Sequence, residues 1–165
     1  MATETLRDQL VKHIDEALAM ENNVRRMLDS MVASTDDDEL KEALRLHKLE
    51  TERQIDRLTR RLEAHDASPS MVREAGGIAG ALMKGVVDVV RSEKAGRNAR
   101  DGYATEHLEI ASYELLERIA ERAGDQETAQ VARENRAEEE KMAKTFEANW
   151  DRFADLSLRE AGITV

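Results

Sequence analysis

Apolar side chains recur along this chain at alternating steps of three and four residues, the period of a helix with one buried face. Four stretches carry it. Leu6, Leu10, Ile14, Ala17, Glu21, Val24, Leu28 and Met31 predict a helix over about 5–33. Leu40, Leu44, Leu58 and Leu62 predict a second over about 37–66. Leu108, Ala111, Leu115 and Ile119 mark a third over about 99–123. Ala132, Asn135, Glu139, Met142 and Phe146, with Trp150 and Phe153 beyond, mark a fourth over about 126–153.

The breaks between these stretches have their own chemistry. Thr3 or Thr5 can cap the first helix, and the run Ser34 to Asp38 supplies acids and hydroxyls for the N-terminus of the second. Gly124 followed by Asp125 suits the end of one helix and the cap of the next. Loops this short make antiparallel hairpins, first with second and third with fourth. Pro69 opens a different segment, over about 70–92, rich in glycine and other small residues. A phosphate loop is excluded there, because neither a Gly-Lys-Ser/Thr ending nor a preceding strand is present. The segment is expected to be a connecting helix that carries the chain across the bundle. Glu93 to Gly102 is polar and reads as a loop or a frayed helix start, and the tail from Leu156 docks on the bundle or on a partner. The expected fold is therefore all-α: an up-down four-helix bundle, one domain over residues 1–165, with a long crossover.

Composition narrows the chemistry. With no cysteine, disulfides and thiolate sites are excluded, and metal ligands must be His or carboxylate. A net charge of −10 opposes binding to nucleic-acid phosphates and serves solubility. No basic-then-apolar leader is visible at the N-terminus, and no run reaches the ~18 apolar residues of a membrane span. The expected location is cytoplasmic, with no membrane partner.

Polar residues interrupt the apolar stripes near mid-length on every long helix. On the second, His47 and Glu50 share a face with Thr51 and Gln54, between Leu44 and Leu58. Burying such groups unpaired costs about 1–3 kcal/mol each, so their presence needs a reason. Glu21 stands in the first seam and Glu139 in the fourth; each has the alternative of a solvated seam edge. Glu106, His107 and Glu109 crowd the third helix, where neighbours differ by ~100° and cannot all face one way. Measured against the apolar stripe, His107 lies nearest the core and the two acids on its flanks. Antiparallel pairing brings the Glu21 and Glu50 levels together. Carboxylates and imidazole converging in a bundle core suit iron or manganese.

The motif His47-x-x-Glu50-Thr51-x-x-Gln54, the run Glu106-His107-Leu108-Glu109-Ile110-Ala111-Ser112-Tyr113, the Glu138-Glu139 pair and Glu21 together resemble the YciF-like proteins, a ferritin-like family of largely unknown function. The resemblance spans roughly Leu6 to Phe146. It implies a rubrerythrin-type bundle, dimerisation and a stress-response role. It also implies a metal site, dinuclear iron or manganese, with Glu21, His47, Glu50, Glu106, His107, Glu109 and Glu139 as candidate ligands. The chain departs from the usual di-iron pattern: the second helix reads His-x-x-Glu, and Glu139 is followed three residues on by Met142 instead of His. A single-metal or empty site therefore stays open, as does a catalytically silent structural or interaction bundle.

Overall fold

The computed structural model describes residues 5–69 and 94–164, which form five helices. They are α1 (Leu6–Ser34), α2 (Asp38–Ala64), α3 (Ala95–Ala123), α4 (Gln126–Ala148) and α5 (Trp150–Glu160). The connecting helix expected over 70–92 lies outside the described residues.

Local caps set most boundaries. Thr5 accepts from the Asp8 N–H while the Asp8 carboxylate accepts from the Thr5 backbone, a reciprocal capping box at the start of α1. Asp37 accepts from the N–H groups of Glu39 and Leu40 to start α2. Gly124 ends α3 in the left-handed region at φ 75°, and Asp125 accepts from Thr128 to begin α4.

Two boundaries differ from the expectation. The polar stretch after Glu93 is helical from Ala95, because a distant side chain caps it: the Glu160 carboxylate accepts from the backbone N–H of Lys94 and of Ala95, the latter at 3.0 Å. The fourth helix does not run through to Phe153. It breaks at Asn149, whose side-chain amide donates to the Thr145 carbonyl at 2.8 Å. The break lets Phe153 turn back and stack on Phe146, 5.8 Å between ring centres.

Contacts between helices give the directions. Arg7 reaches the His65 carbonyl, so α1 and α2 are antiparallel. Asn98 bonds Ser34 and Tyr113 bonds Glu21, which makes α3 antiparallel to α1. Tyr103 bonds Glu147, and Arg61 meets Asp125 while Arg57 meets Glu138, so α4 runs against both α3 and α2. Helices α2 and α3 are consequently parallel. The chain leaves α2 at one end of the bundle and enters α3 at the other.

The interior is divided. One apolar cluster holds Leu10, Ile14, Leu58, Leu62, Leu116 and Ala132; the other holds Val24, Leu28, Met31, Leu44, Met142 and Phe146. Between them lies a layer of buried polar residues drawn from all four long helices. That layer is the candidate site.

Candidate metal centre

Each long helix delivers acid or imidazole to this layer at its middle, because the seam positions there are polar while those above and below are apolar. Helix α1 brings Glu21, α2 His47, α3 Glu106 and Glu109, and α4 Glu139; none is more than 1% exposed. His47 Nε2 lies 3.3 Å from Glu106 and 3.4 Å from Glu139. Suitable donor atoms of these three residues all fall within 4.8 Å of one another. The 3.3–3.4 Å contacts are ion-pair distances without hydrogen-bond alignment: His47 Nε2, Glu139 Oε2 and both oxygens of Glu106 and of Glu109 have no hydrogen-bond partner among the described residues. Glu21 Oε2 is in the same position.

The electrostatics follow from burial. Desolvation pushes the Glu21 carboxyl up to about 8, although the Tyr113 hydroxyl and His47 pull the other way. Burial, reinforced by neighbouring carboxylates, also raises Glu109 and Glu139 well above the usual range. Burial lowers the His47 pKa, but Glu106, Glu50 and Glu139 more than reverse it, leaving the imidazole well above its ordinary value. In the absence of a cation, protons and His47 together offset the negative charge of the layer.

The seven expected ligands fall into three groups. Glu21, His47, Glu106, Glu109 and Glu139 share the buried layer. Glu50 sits at its edge, 14% exposed: one oxygen is 3.4 Å from His47 Nδ1 and the other accepts from Lys141 at 2.8 Å. It thereby takes up one imidazole nitrogen and leaves Nε2 for the interior. His107 is a correction. It is exposed and packs edge-on against Tyr103, 4.5 Å between ring centres, away from the layer. The third-helix stripe is rotated with it: Leu115 is 50% exposed, while Glu106, Glu109, Tyr113 and Leu116 face inward. Hydropathy misplaces this face because its inward residues are the acidic ones.

In the sequence Tyr113 enters only as the last residue of the third-helix motif, and Arg57 has no assigned role. Tyr113 donates to Glu21, and Arg57 makes a two-pronged contact with Glu138. Arg57 was findable: it lies three residues after Gln54, on the edge of the same helical face.

The family model described as "Domain of unknown function (DUF892)" matches residues 5–158. The chain belongs to the DUF892 family. Protein YciF of Escherichia coli (strain K12) is 26% identical over 145 residues, covering 84% of this chain and 86% of that protein. A crystal structure of a protein from Xanthomonas campestris pv. campestris is 29% identical, covers 96% of this chain and 100% of the other, and superposes with a TM-score of 0.80. A bacterioferritin from Desulfovibrio desulfuricans, described by its di-iron site, is 18% identical and covers 99% of this chain and 92% of its own, with a TM-score of 0.76. That last likeness is one of fold. The DUF892 chain is an all-α, ferritin-like bundle with a buried His/Glu cluster that could hold a metal ion.

Proposed function

We propose that this protein is a ferritin-like metal-binding protein that holds iron or manganese, as one ion or a pair, in the layer between its two apolar clusters. The observation that carries the reading is the set of unpartnered buried atoms. Seven carboxylate and imidazole atoms of Glu21, His47, Glu106, Glu109 and Glu139, from four helices, have no hydrogen-bond partner among the described residues, inside a protein core. Leaving so many unsatisfied is costly unless something binds them.

The donor set fits a hard or borderline cation, with oxygens in excess over one imidazole. His47, through Nε2, with Glu106 and Glu139 would form the nearest donor group, and Glu21 and Glu109 would complete it. When bound, iron or manganese supplies redox chemistry toward O2 or peroxide. The chain's own residues hold protons in its place: His47 and the raised carboxyls must release them as the cation enters. Glu50 keeps His47 oriented, and the flanking apolar clusters exclude water. The di-iron site in the bacterioferritin's description supports the choice of metal, and the E. coli relative, described as a stress protein, supports a stress-linked role. A homodimer, expected from the resemblance, is supported by Leu46 and Leu49, two half-exposed leucines on one face of α2.

Metal analysis of protein purified without chelator, then equilibrated anaerobically with Fe(II) or Mn(II), tests the proposal. At least one ion per chain should be retained, and Glu106→Gln with Glu139→Gln should abolish retention. Protein that keeps no metal under either condition would reduce the molecule to a helical scaffold.

A further inference from the structure

Two carboxylates of the centre, Glu139 and Glu21, are tied off in the same way, and both ties lead to one residue. Gln54 Nε2 donates to Oε1 of Glu139 and, at 2.9 Å, to Glu138. Arg57 grips Glu138 with both ends of its guanidinium, each at 2.8 Å. The same guanidinium donates to the Asn135 side-chain carbonyl at 2.6 Å. Asn135 then donates through Nδ2 to the Tyr113 hydroxyl at 3.0 Å, and Tyr113 donates to Oε1 of Glu21. On both Glu139 and Glu21, Oε2 is left without a hydrogen-bond partner among the described residues.

The direction of every bond in this frame follows from Arg57, which can only donate. Its contact forces the carbonyl of Asn135 outward and the amide inward. The Tyr113 oxygen must then accept from Asn135, so its proton goes to Glu21. With Arg57 gone, the Asn135 amide can flip and draw the Tyr113 proton to itself. On the other arm, Arg57 donates to both oxygens of Glu138 and fixes that side chain in place, which keeps one Gln54 N–H on Glu138 and the other on Glu139.

We propose that Arg57, which touches neither Glu21 nor Glu139, is the positioning residue of the centre, selecting through these two arms the single oxygen that each carboxylate offers to a cation. The inference rests on the metal-binding reading above. A planar fork can serve a carboxylate and an amide at once, whereas a lysine ammonium reaches the carboxylate alone.

The test uses the full chain and three variants: Arg57→Met, which keeps volume without donors; Arg57→Lys; and Arg61→Met as control. Arg61 lies one turn along α2 and serves a separate group, Asp125, Glu127 and Thr128. Nitrogen-15 spectra of the metal-free proteins report the side-chain amides of Gln54 and Asn135. Co(II) titration followed by visible absorption reports affinity and ligand geometry. Arg57→Met should move both amides, weaken Co(II) binding by roughly tenfold or more and alter the absorption band. Arg57→Lys should move Asn135 and spare Gln54, a pattern that serves even if Arg57→Met does not fold. Arg61→Met should lose stability yet leave amides and band unchanged. Amides that stay in place without Arg57, or Co(II) binding weakened no more than in Arg61→Met, would overturn the proposal. If the wild type takes up no Co(II), the metal-binding reading fails separately; the amides alone then decide whether Arg57 orients Glu21 and Glu139.

Discussion

Metal-free protein should lose stability as the pH rises from 5 to 8. Burial lifts the Glu21 carboxyl from 4.5 to about 8, and burial with neighbouring carboxylates raises Glu109 and Glu139 as well. A carboxyl raised on folding binds its proton more tightly in the folded state than in the unfolded chain. Its contribution is complete below the unfolded value near 4.5 and is lost progressively up to about 8. At about 1.36 kcal/mol per pH unit, the whole window for Glu21 amounts to about 5 kcal/mol, of which roughly 3–4 falls between pH 5 and 8. His47 acts in the same direction. Burial lowers its pKa but Glu106 and Glu50 carry it above 6.5, so its stabilisation is present below 6.5 and lost as pH climbs through the raised value. Glu50 acts oppositely, lowered to about 2 by its hydrogen bond to His47 and by Lys141, but its window lies between about 2 and 4.5, below the range scanned. At about 2–4 °C per kcal/mol for a chain of this size, Glu21 alone lowers Tm by about 10 °C. Calorimetry in EDTA from pH 5 to 8 measures it. Repeating the scan with Mn(II) should flatten or reverse the slope, since ligands that must shed protons bind metal better at higher pH. A flat or rising Tm in EDTA would mean that the carboxylates are solvated, and the argument for a buried centre would not survive it.

Three further outcomes are expected. Tyr113→Phe leaves Glu21 Oε1 and Asn135 Nδ2 without their partner and should cost about 1–3 kcal/mol in urea denaturation; an unchanged midpoint would show that the bond contributes nothing. Gly102→Ala would place its Cβ 2.5 Å from Phe146 Cζ and 3.2 Å from Met31 Cε. Overpacking of about 1–3 kcal/mol then outweighs the ~1 kcal/mol gained in helix propensity, so the urea midpoint should fall; a rise would show that Phe146 yields easily. Glu160→Ala removes the acceptor for the first N–H groups of α3 and should cost about 0.5–2 kcal/mol there, read as faster amide hydrogen exchange at Lys94 and Ala95 with α1 unaffected.

Much of this architecture was legible before any coordinates. In α1 the residues from Leu10 to Met31 on the expected stripe are all buried, and on α2 the polar patch His47, Thr51 and Gln54 lies between buried leucines as its spacing implied. Glu139 and Asn135 stand in the α4 seam as read. These faces were readable because apolar neighbours on both sides fix their phase. On α3 the phase was lost. Glu106, Glu109 and Glu117 occupy the buried face while Leu115 lies outside it, so a rule that sends acids to water picks a face rotated by about one residue and brings His107 in.

What the sequence determined alone were the features set within a turn or two of chain: the helical period, the caps at Thr5, Asp37 and Asp125, the left-handed Gly124, and the polar interruption on every long helix. Tertiary structure decided whatever needs a partner distant in the chain. Glu160 caps a helix that begins some sixty-five residues earlier, Asn149 ends α4 where Phe153 can return to Phe146, and Arg57 meets Glu138 across the bundle. The site belongs to this second kind. A carboxylate on a lone helix is indistinguishable from a solvated one; only when four helices close around Glu21, His47, Glu106, Glu109 and Glu139 is water removed, and with it the ordinary reason for a charge to be there.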